Sequence, residues 1–173
     1  MGNCYYFGEE VEQNYEEAIR WWTKAAEQGV SQAQNSLGYS YQHSLGVEQD
    51  YEKAVYWYTK AAKQDDATAQ YNLGSCYDLG YGVEQDYEEA VYWYRRSAEQ
   101  GIALAQNNLG SSYYHGRGVT QNYEEAVRWL TKAAEQGVPM AQNSLGICYE
   151  YGYGVEQDYE KAEYWYMKAA TTR

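Results

Sequence analysis

The chain has 173 residues, and 13 lysine and arginine residues against 25 aspartate and glutamate residues give it a formal net charge of −12 at pH 7. This charge repels phosphate backbones and anionic lipids, which argues against nucleic acid and membrane surfaces as partners. No stretch approaches the roughly 18 apolar residues of a membrane span, and no secretory signal follows Met1. We therefore expect a cytoplasmic protein.

A block of 36 residues recurs along the chain, and its aligned copies share invariant columns. The columns hold tyrosine (Tyr15, Tyr51, Tyr87, Tyr123, Tyr159), tryptophan (Trp21, Trp57, Trp93, Trp129, Trp165) and a Leu-Gly pair (Leu37-Gly38, Leu73-Gly74, Leu109-Gly110, Leu145-Gly146). A unit of this size cannot bury its own apolar face, so the copies must stack on one another. We predict one solenoid domain over residues 1–173, with about 4.8 repeats and a truncated first helix.

The third copy shows the elements of one repeat in chain order. Apolar residues at helical spacing over residues 69–77 predict a first helix, helix A, which ends near Gly80. After a turn, Asp86 and Glu89 form a capping box for a second helix, helix B, which ends at Gly101. Such pairs of antiparallel helices stack into a right-handed superhelical solenoid, so the predicted fold class is all-α.

The invariant columns also predict the core. Alanine on helix B and glycine on helix A leave gaps that the tryptophan and tyrosine columns can fill. Two segments depart from the pattern: Ser44 and Leu45 stand where other complete copies begin the turn with glycine, and Asp65 and Asp66 replace a glycine and an apolar residue.

The columns resemble the Sel-one-like repeat (SLR) family, a branch of the tetratricopeptide-type solenoids. The resemblance is carried in one copy by Ala105-Gln106, Leu109-Gly110, Tyr113, Gly116, Gly118-Val119, Tyr123, Ala126, Trp129, Lys132-Ala133-Ala134 and Gln136-Gly137. It covers essentially the whole chain. The resemblance implies a non-enzymatic adaptor that holds other proteins, without a cofactor.

A partner surface follows from the tetratricopeptide resemblance, in which positions on helix A line the concave face. The corresponding residues include most of the variable columns of this chain. They are Gln32, Asn35, Tyr39, Gln42, His43, Thr68, Tyr71, Ser75, Asp78, Leu79, Leu104, Asn107, Ser111, Tyr114, His115, Met140, Asn143, Ile147, Glu150 and Tyr151. Tyrosine supplies rigid contact area and asparagine can bond an extended backbone, so we predict that this face binds a protein or peptide.

Catalytic motifs and metal-binding spacings are missing from the sequence. His43 and His115 share one column two copies apart, roughly 20 Å at ordinary helix spacing, so they cannot share a metal ion. Cys4, Cys76 and Cys148 also recur at alternate copies, beyond the about 7 Å that a disulfide allows. We predict no enzyme activity, no cofactor and no metal site.

Two alternatives to partner binding stay open. Solenoid ends normally carry polar caps, yet this chain begins inside a helix A and finishes near the aromatic segment 164–166, so the stack could self-associate end to end. The close agreement between copies also permits a consensus-like or designed array that has no specific partner.

Overall fold

The computed structural model describes residues 1–171, which form ten α-helices and no strand. The helices are α1 (Gly2–Phe7), α2 (Tyr15–Glu27), α3 (Ser31–His43), α4 (Tyr51–Ala62), α5 (Ala67–Leu79), α6 (Tyr87–Glu99), α7 (Ala103–His115), α8 (Tyr123–Glu135), α9 (Pro139–Tyr151) and α10 (Tyr159–Thr171). The odd-numbered helices are the helices A of the repeats and the even-numbered helices are the helices B. The predicted alternation of two helices per repeat is confirmed.

The helices group into two compact units, Met1–Gln85 and a second unit that begins at Asp86. In the first unit, α1 to α5, each helix packs against the next helix along the chain. In the second unit, α6 to α10 pack in the same succession. The single domain over residues 1–173 stays a prediction. No helix within residues 1–171 combines the length and the apolar character needed to cross a membrane.

Side-chain caps begin the helices B where the sequence predicts them. The Asp86 carboxylate accepts hydrogen bonds from the backbone N–H groups of Glu88 and Glu89 at 2.9 and 3.0 Å. These bonds satisfy N–H groups that have no partner inside the helix. The predicted ends are also confirmed, because Gly80 and Gly101 have left-handed φ angles of 72° and 95°.

Two series of glutamine side chains satisfy the carbonyl groups at the helix ends. Buried Gln34 donates from Nε2 to the carbonyl oxygen of Ala26 at 3.0 Å, and the Ala-Gln pair of later copies repeats this bond to the preceding helix B. Gln49 donates to the carbonyl oxygen of Gln42 at the end of its helix A at 2.8 Å, again with equivalents in the other copies. Because terminal carbonyls otherwise need water, these bonds join consecutive helices rigidly.

In four copies, the glycine of helix A lies directly against a side chain of the following helix B. A Cβ atom added to Gly38 would lie 2.6 Å from the ring of Tyr58, and one added to Gly146 would lie 2.4 Å from the ring of Tyr166. Tyr58 is fully buried. Only glycine permits this approach. Tyr58 and Tyr166 stand outside the tyrosine and tryptophan columns that were predicted to fill the gap, so the prediction identified the glycine but not the residue that packs on it.

The tryptophan column is only partly core. Trp93 and Trp129 are buried, but Trp21 is 39% exposed, with the Lys24 ammonium 5.2 Å from its ring centroid. The prediction of a core residue is therefore wrong for Trp21, whose ring lies at the surface beneath a cation.

Ser44 occupies a left-handed conformation that glycine adopts in the other complete copies. Its φ is 58°, and its hydroxyl donates to the carbonyl oxygen of Val47 at 3.2 Å. For an L-residue, the left-handed region costs roughly 1–2 kcal/mol because Cβ crowds the backbone. The departure noted in the sequence is thus a strained helix end.

We expect Ser44→Gly to raise the free energy of unfolding by about 1 kcal/mol, because relief of the strain exceeds the loss of the local hydroxyl bond. Urea denaturation monitored by circular dichroism measures the change. The matched control is Gly80→Ser, which introduces the same strain at the equivalent position and should lower stability by a similar amount. Equal stability of all three proteins would contradict this account.

Candidate functional site

The predicted partner residues lie on the helices A, on α3 and α5 in the first unit and on α7 and α9 in the second. Most of them retain exposed or half-exposed side chains. Asn107 is the exception, because it is 5% exposed and donates from Nδ2 to Oδ1 of Asn108 at 3.1 Å. Its side chain is therefore part of the packed interior and cannot meet a partner.

Two of the predicted partner residues accept hydrogen bonds from tyrosine hydroxyls of the same chain. The Tyr58 hydroxyl donates to Oε1 of Gln42 at 2.8 Å, and the Tyr166 hydroxyl donates to Oε2 of Glu150 at 2.7 Å. Burial and the bond to Glu150 raise the pKa of Tyr166 above its ordinary value. Gln42 and Glu150 therefore tie helix A to helix B, a role that the sequence analysis did not assign to them.

The first unit presents polar and aromatic groups on α3 and α5. The rings of Tyr39 and His43 lie 4.2 Å apart between centroids, one turn apart on α3. Asn35 accepts a hydrogen bond through Oδ1 from Nδ2 of Asn72 at 3.0 Å, which links the two helices A. Asn72 was missed by the sequence analysis. Its column, with Ser36, Asn108 and Ser144 in other copies, varies and could have drawn attention to it.

The second unit carries an aromatic cluster at the ends of α7 and α9. Tyr153 stacks on Tyr151 at 5.8 Å and on Tyr123 at 5.0 Å between centroids, and Tyr114 contacts both Tyr123 and Tyr153 edge-on. Burial, followed by the proximity of Cys148, raises the pKa of Tyr114. The sequence analysis placed Tyr123 only in the tyrosine column and did not single out Tyr153, because their proximity to α7 arises from stacking of the copies.

Cavities open on the helix A surface of each unit. In the second unit, a cavity of about 280 Å³ lies between α7 and α9 above α8, and we call it the Leu130 pocket. It is lined by Ser111, Tyr114, His115, Leu130, Ser144 and Ile147. In the first unit, a cavity of about 220 Å³ between α1 and α3 lies beside Trp22, whose Nε1 donates to Oδ1 of Asn3 at 3.0 Å.

Charge is distributed unequally between the two kinds of helix. None of α1, α3, α5, α7 and α9 contains lysine or arginine. The cations lie elsewhere, mainly on the helices B, where many pair locally, as Arg128 does with Glu125 at 3.1 Å or Lys132 does with the Trp129 ring at 4.3 Å. The helix A surface is therefore neutral to acidic, with Asp78 and Glu150 as its predicted acidic residues.

Two features bear on metal binding and thiol chemistry in the described part of the chain. No cluster of three or more histidine, cysteine or acidic residues within residues 1–171 could hold a metal ion. Burial raises the pKa of Cys76 to about 12 and that of Cys148 to about 11, which makes both thiols poor nucleophiles. The predicted partner residues offer exposed contact area and hydrogen-bonding groups.

Comparison with known proteins identifies the repeat. A family model described as Sel1 repeat matches residues 1–30, 31–66, 67–102, 103–138 and 139–171. A protective antigen of uropathogenic Escherichia coli that displays an SLR fold matches with a TM-score of 0.94 and 44% identity, over 98% of this chain and 36% of that chain. A Sel1 repeat protein from Oxalobacter formigenes matches with a TM-score of 0.91 and 40% identity, over 99% and 71% of the two chains.

A more distant structure is the Helicobacter pylori cysteine rich protein B, with a TM-score of 0.58 and 25% identity, over 78% of this chain and 96% of that chain. No protein with a curated description matches significantly. This chain spans only about a third of the length of the E. coli antigen. The predicted resemblance and the all-α solenoid fold class are confirmed by these matches.

We expect one fast and two slow thiols when the native protein reacts with Ellman's reagent at pH 8. Cys76 and Cys148 should react at least about 100-fold more slowly than half-exposed Cys4, because burial suppresses their thiolates. Cys4→Ser should remove the fast phase only. The pKa values of the Cys76 and Cys148 thiols are raised in the folded protein, so the unfolded chain loses these protons first as pH rises. The thiols therefore leave the free energy of unfolding unchanged below about pH 8.5, the pKa of an unfolded thiol, and lower it as pH rises from there toward 11 and 12. Three equally fast thiols would contradict the burial.

Proposed function

Because this chain belongs to the Sel1 repeat family, we propose that it binds an extended peptide or a helix of a partner protein on its helix A surface. Proteins of this family are generally non-enzymatic scaffolds for protein–protein interaction. The proposal adds the surface, the kind of partner segment and the residues that contact it.

Exposed apolar side chains on the helices A carry the proposal. On α9, Met140 is 60% exposed and Tyr151 is 59% exposed, and Leu104 on α7 is 47% exposed. They occupy columns that hold glutamine or histidine in the copy containing α3, so the fold does not require apolar residues there. Large apolar side chains that serve no packing need are typical of contact surfaces.

Rigidity of the helix A surface favours binding. The glutamine bonds to helix ends and the close packing of glycine against helix B hold the helices A in position before a partner arrives. A surface that is already ordered loses little conformational entropy on association. Side chains such as Asn143 and His43 then supply hydrogen bonds to a partner backbone.

Electrostatics favour a cationic partner. The chain carries a net charge of −12, and its helices A lack lysine and arginine. Long-range attraction therefore accelerates encounter with a basic segment, and this contribution weakens with salt.

The proposal is tested by selecting a displayed random peptide library on the protein. The test variant replaces four helix A residues with residues that occupy the same columns in other copies. Its changes are Leu104→Gln, Met140→Gln, Ile147→Ser and Tyr151→His. We expect the selected peptides to lose at least about ten-fold in affinity for this variant, because several apolar contacts are removed while the helix packing is kept.

The matched control is Tyr92→Gln with Tyr164→Gln, which removes two comparably exposed aromatic residues from the helices B. Peptide affinity should be unchanged in this control, and circular dichroism should show both variants folded. Equal binding to all three proteins, or loss in the control alone, would overturn the proposal. Failure to select any peptide, together with concentration-dependent growth in light scattering, would favour the self-assembling array instead.

A further inference from the structure

One helix B position lies against the helix A glycine at Gly2, Gly38, Gly110 and Gly146, and the residue at this position is not the same in all copies. This column holds Trp22, Tyr58, Tyr94, Leu130 and Tyr166. Leu130 follows the path of the tyrosines, because a Cβ atom added to Gly110 would lie 2.8 Å from Leu130 Cγ, as one added to Gly38 would lie 2.6 Å from the Tyr58 ring. The leucine ends where the tyrosine ring would continue.

In three other copies the ring of this column ends in a polar group that makes a hydrogen bond. Tyr58 donates to Gln42, Tyr166 donates to Glu150, and the Trp22 N–H donates to Asn3. An amphipathic ring with a hydrogen-bonding tip therefore suits the space between adjacent helices A. Leu130 supplies neither the outer half of a ring nor a polar tip.

The Leu130 pocket occupies the space that the shorter side chain leaves open. Leu130 and Ile147 give it an apolar lining, and Ser111 stands where the copy containing α3 has the larger Tyr39. The side chains of Ser111, Tyr114 and His115 make no hydrogen bond within residues 1–171. The pocket thus combines an apolar floor with three polar groups available to a ligand.

We propose that the Leu130 pocket binds the side chain of a tyrosine carried by a cationic segment of a partner protein. The tyrosine ring packs on Leu130 and Ile147, and its hydroxyl bonds the polar groups at the rim, as the chain's own tyrosines do in other copies. The inference rests on the proposed function and names the residue that anchors the partner.

The charge around the pocket favours lysine or arginine next to the tyrosine of the partner segment. The helices on both sides of the pocket, α7 and α9, contain no lysine or arginine, and Glu150 lies within one turn of Ile147. Lysine or arginine next to the tyrosine therefore meets no repulsion at the site and is attracted by the net charge of the chain.

The first experiment uses p-cresol, the side-chain analogue of tyrosine, with toluene as the analogue that lacks the hydroxyl. Methyl NMR spectra of the protein follow Leu130 and Ile147, with the buried core residue Leu37 as an internal control. We expect saturable shifts of the two pocket methyl groups and no shift of Leu37. The affinity for p-cresol should exceed that for toluene about five-fold, the contribution of one hydrogen bond.

Two variants introduce a tyrosine into the chain itself, one inside the pocket and one at its rim. Leu130→Tyr introduces the residue that three other copies have at this position, and it should abolish the p-cresol shift at Ile147 while the protein stays folded. Ser111→Tyr, which introduces the residue found at Tyr39, closes the pocket from α7 and gives the same result if Leu130→Tyr disturbs folding. Unchanged p-cresol binding in the folded variants, no binding to the original protein, or equal affinity for toluene would each overturn the proposal.

The second experiment compares the acetylated tripeptide amides Lys-Tyr-Lys and Glu-Tyr-Glu. The basic peptide should bind about ten-fold more tightly at low salt, and its advantage should shrink as salt rises. Equal binding would overturn the cationic partner. Because p-cresol tests the pocket without a partner, its failure leaves a peptide surface on the helices A intact. If p-cresol binds the pocket but the library selection yields no peptide, the proposed function is refuted.

Discussion

The close approach of a helix A glycine to a side chain of the next helix B, seen at Gly2 and Gly38 in the first unit and at Gly110 and Gly146 in the second, is the contact on which the packing within each unit depends. A single methyl group at Gly38 or Gly146 would overlap the tyrosine ring that lies on it. This contact sets how near the two helices of a pair can come and which volume remains between neighbouring helices A. The size of the helix B residue therefore controls both packing and the shape of the surface.

That coupling gives the repeat a simple way to vary its surface without changing its fold. A tyrosine in the column fills the space and bonds a helix A side chain, as Tyr58 does with Gln42. A leucine keeps the contact with glycine but leaves a cavity, as at Leu130. Packing with the backbone is retained in both cases, because the atoms nearest to the glycine are similar.

Helix A and helix B of each repeat differ in charge. Helix B carries most of the charge, arranged as first-turn acids, last-turn bases and local ion pairs that stabilise it. Helix A is nearly free of charge. A glutamine in its first turn bonds the end of the preceding helix B, and a glutamine of the following loop bonds its own last turn. A neutral, rigid surface with exposed tyrosine, methionine and leucine suits the recognition of another protein.

The sequence by itself determined the repeat, the helices and their ends, because helical periodicity, Asp86 as a cap and glycine at left-handed positions act over a few neighbouring residues. It also determined the family, since the Leu-Gly, tyrosine and tryptophan columns recur in register. Only the tertiary structure decided that Gln42 and Glu150 bond tyrosines, that Asn107 is buried, and that Trp21 is exposed. Those outcomes depend on how neighbouring copies pack, and identical columns at different places in the chain meet different neighbours. The pocket at Leu130 belongs to the same class, because an empty volume is a property of the surrounding helices and not of any one residue.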